Sequence, residues 1–250
     1  MFRHKGKGRT YSHNLKLASI LSAVAGIVNI TSVLKLSTLT TNVTGHFAYF
    51  SEELVLKNYS MAIAYLFYIL FFLFGAFISS LIMEWVSKNN HPSSSYIIPI
   101  SIEIFILLIV SFSSSLLTIQ GYPIAIIIAS ALLFSMGLQN ALVTRVSQSV
   151  VRTTHLTGIF TDLGIELSRL FFYKEKSERD VLNHSINLKL AIIGCFFAGG
   201  IIGGFTFPYL GLKTLLIAVV FLSFALWYDR ILFGYYALKR KHRNQHLAEH

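Results

Sequence analysis

The sequence predicts an all-α, polytopic transmembrane helix bundle with six long spans, two polar half-helix or re-entrant segments and an internal repeat. Three observations carry that prediction. Charged residues make up 13% of the 250 and apolar types 54%, whereas soluble domains hold about 25% charged residues; a water-soluble globule of this composition cannot cover its surface. The apolar residues come in blocks of about twenty or more, the length a helix needs to cross the hydrocarbon. A polar pattern, T-T-x-x-T-G-x-F-x5-E-L, occurs at Thr40–Leu54 and again at Thr153–Leu167, with seven identities in fifteen positions and no gap. The composition excludes disorder, collagen, a disulfide scaffold and a soluble coiled coil. Cys195 is the lone cysteine, so no intramolecular disulfide is possible.

Taken in order, the first span is Leu15–Leu36. Its basic leader mimics a secretory signal, but the apolar run is longer than a signal core and lacks a small-x-small cleavage site, so it reads as an uncleaved span. Thr38–Leu56 follows, too dense in Thr, His, Asn and carboxylates for lipid contact, and so either re-entrant or sheathed in protein. Tyr59–Met83 and Tyr96–Leu117 complete a first unit, 15–118. The second unit, 122–234, repeats the plan: Pro123–Val143, the polar segment Thr153–Phe172, a loop near Tyr173–Asn187, then Leu188–Phe207 and Leu212–Phe233. The two units form one membrane domain over 1–250, with basic tails at 1–14 and 235–250.

The net charge of +10 is concentrated at the ends, in Arg3, Lys5, Lys7, Arg9 and Lys16 and in Lys239, Arg240, Lys241 and Arg243. Basic clusters abutting apolar spans mark cytoplasmic ends and meet anionic lipid. No zinc, RRM-like or basic-helix pattern accompanies them, which argues against nucleic acid. If the polar segments are re-entrant, six spans leave Lys35, Lys57 and Lys213 outside; if both cross, eight spans leave Lys35, Lys88, Arg145, Arg152 and Lys213 outside. The positive-inside rule prefers six, with both termini cytoplasmic in a cell (inner) membrane. Three crossings per unit make the repeat inverted, as in many transporters.

The chemistry concentrates in and around the repeated segments. Each copy follows a Gly-x-x-Asn, Gly26 to Asn29 and Gly137 to Asn140. Thr44-Gly45 and Thr157-Gly158 are expected to begin half-helices whose free N–H groups and positive dipole ends point at a polar site. The carboxylates Glu53 and Glu166 follow Thr44 and Thr157 by nine residues, toward a loop mouth, with Arg169 spaced to pair with Glu166. Asp162 is expected deeper, and Glu103 sits inside the third span with an expected partner in Asn29, Asn140 or a Thr hydroxyl. His46 and His155 lack metal-ligand spacing. Gln139 and Asn140 are polar amides that need bonds across helices. Gly199 with Gly203 and Gly200 with Gly204 are small-x3-small pairs suited to helix packing.

Ala25-Gly26-Ile27-Val28-Asn29, Thr44-Gly45-His46, Met136-Gly137-Leu138-Gln139-Asn140-Ala141 and Arg152-Thr153-Thr154-His155-Leu156-Thr157-Gly158, continuing through Thr161-Asp162-Leu163-Gly164-Ile165-Glu166, are similar to the YoaK-like family of bacterial integral membrane proteins, a domain of unknown function. The resemblance covers nearly the whole chain. It implies a multi-span inner-membrane protein and supplies neither substrate nor catalytic residue. Many relatives carry Asp at the position of Asn29 and Asn at that of His46.

No G-x-S-x-G, Walker loop or dinucleotide fingerprint is present, so neither catalytic residues nor cofactor nor metal is assigned. The expected function is a small permease or channel for a small polar or anionic solute. Its path is lined by Asn29, Thr44, Gly45, His46, Glu53, Glu103, Gln139, Asn140, Thr157, Gly158, Asp162 and Glu166. Two other classes stay open: a membrane-embedded enzyme using Asp162, His155 and Glu166, and a non-transporting scaffold. The partners are the bilayer and an unknown solute, with a homo-oligomer left open.

Overall fold

A computed structural model describes residues 10–88, 95–113, 122–173 and 175–228. Those residues are helical apart from short turns, with no strand among them. In chain order α1 spans Tyr11–Leu36, α2 Val43–Val55, α3 Tyr59–Lys88, α4 Ile97–Ser111, α5 Tyr122–Ser147, α6 Leu156–Arg169 and α7 Lys176–Leu210. After a 3-10 turn at Gly211–Thr214 the chain is helical again over 215–228, here α8. Four continuous helical runs are long and apolar enough to cross a membrane: Tyr11–Leu36, Tyr59–Lys88, Pro123–Ser147 and Lys176–Tyr228, with Ile97–Ser111 a shorter apolar helix. The chain is thus an all-helical protein suited to a membrane. The third expected span is helical to Ser111; its end at Leu117, the end of the last span at Phe233 and most of both basic tails lie outside the described residues.

One expectation is corrected. The loop placed at Tyr173–Asn187 is a helix from Lys176 onward. Hydropathy ends a span where polar residues begin, but a helix keeps its backbone bonded and continues past the lipid boundary. Glu178 in the first turn suits the positive end of the helix dipole. The extension is also held: the His184 ring stacks on Tyr11 at 4.5 Å, and Ile186 and Leu188 are buried.

Glycine decides which helices pair. A Cβ on Gly26 would run into the carbonyl oxygen of Phe196, and one on Gly199 into that of Ala23, so α1 and α7 touch through backbone. A Cβ on Gly137 would meet the carbonyl oxygen of Phe72, and one on Gly75 that of Phe134, so α3 and α5 touch the same way. Where lipid removes the hydrophobic drive between helices, such close backbone approach supplies the dispersion contact that holds them. α7 runs in the direction of α1, since Tyr11 meets His184 and Ile30 meets Gly203. α3 runs with α5, since Phe72 meets Gly137 and Ser80 meets Arg145. α8 runs against α1, with Lys16 bonded to the Tyr228 hydroxyl at 3.2 Å.

The core lies between α1 and α5. In their most apolar stretches 61% of α1 and 67% of the Pro123–Ser147 run is buried, against 22% of α3. Leu17, Leu21, Val24 and Val28 of α1 meet Leu132, Met136, Val143 and Val146 of α5 in one cluster that also takes in Leu107 of α4 and Leu222 of α8. α3 instead presents Phe67, Phe74, Phe77 and Trp85 outward. Gln139 of α5 stitches the centre, its Nε2 donating to the Leu21 carbonyl at 2.9 Å.

Candidate functional site

The polar segments are held at their starts by the Gly-x-x-Asn asparagines. Asn29 Oδ1 accepts from the Thr40 backbone N–H at 3.0 Å and from Thr41 Oγ1 at 3.1 Å. Asn140 Oδ1 accepts from Thr154 Oγ1 at 2.8 Å. Each asparagine thus pulls the chain that follows its helix back toward the helix body. The helices α2 and α6 begin one residue earlier than the Thr-Gly pairs predict, at Val43 and Leu156. The cap of α2 is Asn42, whose Oδ1 accepts from Gly45 N at 3.1 Å, and not Thr44; an amide oxygen on a short stem reaches the third helical N–H. The cap position of α6 is His155, which makes no side-chain capping bond.

Both leading ends open on one cavity of about 1060 Å³. α2 contributes Val43, Thr44 and Phe47, and α6 contributes Leu156 and Thr157, behind the loop residues Thr41, Asn42, Thr154 and His155. α3 supplies Ile69, Phe72, Leu73, Ala76 and Ser80, and α5 supplies Asn140, Ala141, Thr144 and Arg145, continued by Gln148, Ser149 and Arg152. No carboxylate is among these lining residues; two arginines are. Arg145 is braced against α3: Nη1 donates to the Ser80 carbonyl at 3.2 Å and Nη2 pairs with Glu84. Arg152 is exposed and pairs with no carboxylate among the described residues. With Arg145 paired to Glu84, two helix N-termini and the Arg152 guanidinium make this wall electropositive, a setting for anions and for neutral hydrogen-bond acceptors.

Of the residues singled out from sequence, Thr44, Asn140, His155 and Thr157 line the cavity; Asn29 and Gly45 bond the lining residues Thr41 and Asn42, and Gly158 follows Thr157. The others lie elsewhere. His46 is buried against α3, its Nε2 2.6 Å from the Leu39 carbonyl and its ring packed on those of Tyr65 and Tyr68. Glu53 is half-buried near the end of α2. Glu103 is buried in α4, and its Oε1 finds no partner, neither the Asn29 or Asn140 amide nor a threonine hydroxyl. Gln139 is spent on Leu21. Asp162 is exposed on α6, five residues past the cavity-lining Thr157.

Glu166 pairs with neither the cavity nor Arg169. Its Oε1 accepts from Ser185 Oγ and Lys189 Nζ, both at 2.8 Å, closing α6 onto α7 beside a separate cleft. The enzyme grouping is therefore not assembled: His155 faces the cavity, Glu166 the cleft, and Asp162 neither. Among the described residues no three His, Cys, Asp or Glu side chains come together to hold a metal. The half-buried Glu166–Lys189 pair supports a prediction. Lys189→Met strands the carboxylate and lowers stability by roughly 1–3 kcal/mol, and adding Glu166→Gln recovers most of the loss in a thermal melt of the detergent-purified protein. Equal melts for the single and double variants would show that the pair does not hold α6.

Sequence reasoning missed Arg145, Arg152, Asn42 and Phe72. A signal existed for part of this: Asn140 and Thr144 stand four residues apart near the end of an apolar span, a polar stripe on one face of α5. The phenylalanines carried none, since a membrane helix is apolar on every side.

The family model described as "Protein of unknown function (DUF1275)" matches residues 17–228. The chain belongs to the DUF1275 family. The match takes in most of α1 and every later element through α8, so this DUF1275 protein contains both polar segments and the cavity between them. No curated protein and no solved structure matches it.

Proposed function

We propose that this DUF1275 protein is a six-span permease or channel of the bacterial inner membrane, YoaK-like, that moves a small polar or anionic solute through the cavity between two inverted repeats. The observation that carries the proposal is that both leading ends, at Thr44 and Thr157, open on the same cavity. A scaffold needs no such void.

The contacts support the repeat. The α5 residues Phe134 and Gly137 stand 111 positions after their counterparts Ala23 and Gly26 in α1, and the α7 residues Phe196 and Gly199 stand 124 after Phe72 and Gly75 in α3. The glycine contacts thus exchange between halves, α1 with α7 and α5 with α3. In each half the asparagine lies seven residues before the end of its helix, Asn29 before Leu36 and Asn140 before Ser147, and recovers a threonine from the turn beyond. The chain leaves the helix, dips back about two turns and starts again, the behaviour of a re-entrant segment.

Opposed direction has its own support. α1 meets α5 at Leu21 and Gln139, while Asn29, further along α1, ties down the start of α2 beside Tyr65 and Tyr68 of α3, which is a level earlier in α5 than Gln139. α1 then runs against α5, and the copies are inverted. With both termini cytoplasmic, the wall at Arg145 and Arg152 faces the cytoplasm and Thr44 lies at the inner end.

Cysteine access tests this. In a Cys195→Ala background, Thr157→Cys and Thr44→Cys are expected to react with a charged, membrane-impermeant thiosulfonate from the cytoplasmic face, at rates well above that of Phe74→Cys on the outer face of α3. Failure of both to react from either face, in protein that reacts once denatured, overturns the conduit.

A further inference from the structure

We infer that the cavity takes an organic anion with an apolar body, its carboxylate or sulfonate seated at Arg152. This deepens the conduit reading and rests on it. The lining is divided. One side is apolar, with Val43, Phe47, Ile69, Phe72 and Leu73 from α2 and α3. The rest of the lining, from α5 and the turn after it, carries Asn140, Thr144, Arg145 and Arg152. An inorganic anion would leave the first side wet and uncovered, and an apolar solute would desolvate the second without satisfying it. A molecule with one charged end and one ring or short chain meets both.

The two arginines differ, and the difference places the anion. Arg145 already has its charge answered by Glu84 and its Nη1 bonded to Ser80. Arg152 has no such partner among the described residues and stands at the same wall. A carboxylate entering the cavity gains more from the unanswered guanidinium, which offers two parallel N–H donors in a plane. The volume of about 1060 Å³ is at the top of the range for pockets that hold drug-sized molecules, several times what phosphate fills.

Isothermal titration on the full chain in neutral-lipid nanodiscs tests it, with empty discs as the blank and 1-naphthoate, 1-naphthamide and inorganic phosphate as probes. Naphthoate is expected to bind, the uncharged amide to bind roughly tenfold weaker or worse, and excess phosphate not to displace naphthoate. Arg152→Gln, at an exposed position, is expected to keep the wild-type melt and lose about tenfold in naphthoate affinity. Phe72→Ala weakens naphthoate and its amide alike. Equal binding of amide and naphthoate, displacement by phosphate, or an Arg152→Gln variant of unchanged affinity overturns the inference and leaves the conduit standing. Absence of any binding in protein whose Thr44→Cys and Thr157→Cys forms react from water overturns it too; absence of binding and of reaction together removes the conduit itself. An anionic lipid presents the same chemistry. Loss of naphthoate affinity in discs containing phosphatidylglycerol assigns the amphiphile to the bilayer, and unchanged affinity assigns it to water.

Discussion

Gly137→Ala should cost this protein about 3 kcal/mol or more, out of proportion to a single methyl group. The new carbon would occupy the place of the Phe72 carbonyl oxygen, and that oxygen belongs to a helix backbone that cannot swing aside as a side chain does. α3 and α5 would have to separate along their whole contact, with loss of dispersion on both faces. Gly75→Ala should do the same from the other side of that contact, and Gly26→Ala and Gly199→Ala should do it to α1 and α7. The control lies in α6 and α7. Gly164 and Gly194 have nothing within 4 Å of the place a Cβ would take, so alanine there should be neutral or stabilise by up to about 1 kcal/mol through helix propensity. Melting midpoints of the six variants, followed by fluorescence-detected size exclusion in detergent, should fall into two groups. A single overlapping group would show that glycine does not hold these helices together.

Asn29→Leu should have the next largest effect, a loss of about 2 kcal/mol with exposure of the turn at 37–42. The Thr40 N–H is fixed in direction and donates to Asn29 Oδ1; without that oxygen a donor is left unpaired in the bundle. Asn140→Leu should cost less, because it strands only the Thr154 hydroxyl, which can rotate to another acceptor. Asn29→Asp should be close to wild type, since the bonds from Thr40 and Thr41 are all accepted by the side-chain oxygen and Asp supplies the same oxygen. Melts of the three variants, with the thiol reactivity of Thr44→Cys in each, provide the check. An Asp variant as damaged as the Leu variant would sink the acceptor role.

The polar pattern was legible as a repeat because identity along the chain is visible without coordinates. Its geometry was legible in part. Thr-Gly marks the start of α2 and of α6 to within a residue, since capping is a matter of three or four neighbouring groups. The cap itself went to Asn42 in one copy and to unbonded His155 in the other, because side-chain reach and not residue preference chooses among adjacent polar groups. His46 shows the same limit. Its position beside Gly45 suggests a site, but the bond to Leu39 and the rings of Tyr65 and Tyr68 turn it into a clasp between α2 and α3.

What the sequence determined by itself is a composition suited to lipid and the local grammar: apolar blocks long enough to cross a membrane, basic ends, glycines and threonines at set intervals, and two kindred polar segments. These depend on interactions along a few consecutive residues, or on summed transfer free energy, and both are one-dimensional. Tertiary structure alone decided which carbonyl each glycine faces, that Glu166 answers Lys189 and not Arg169, and that Arg145 and Arg152 share a cavity with Thr44 and Thr157. Those outcomes join groups up to more than a hundred positions apart. Within a bundle that is apolar on every side, hydropathy does not distinguish one helix face from another; contact between backbones does.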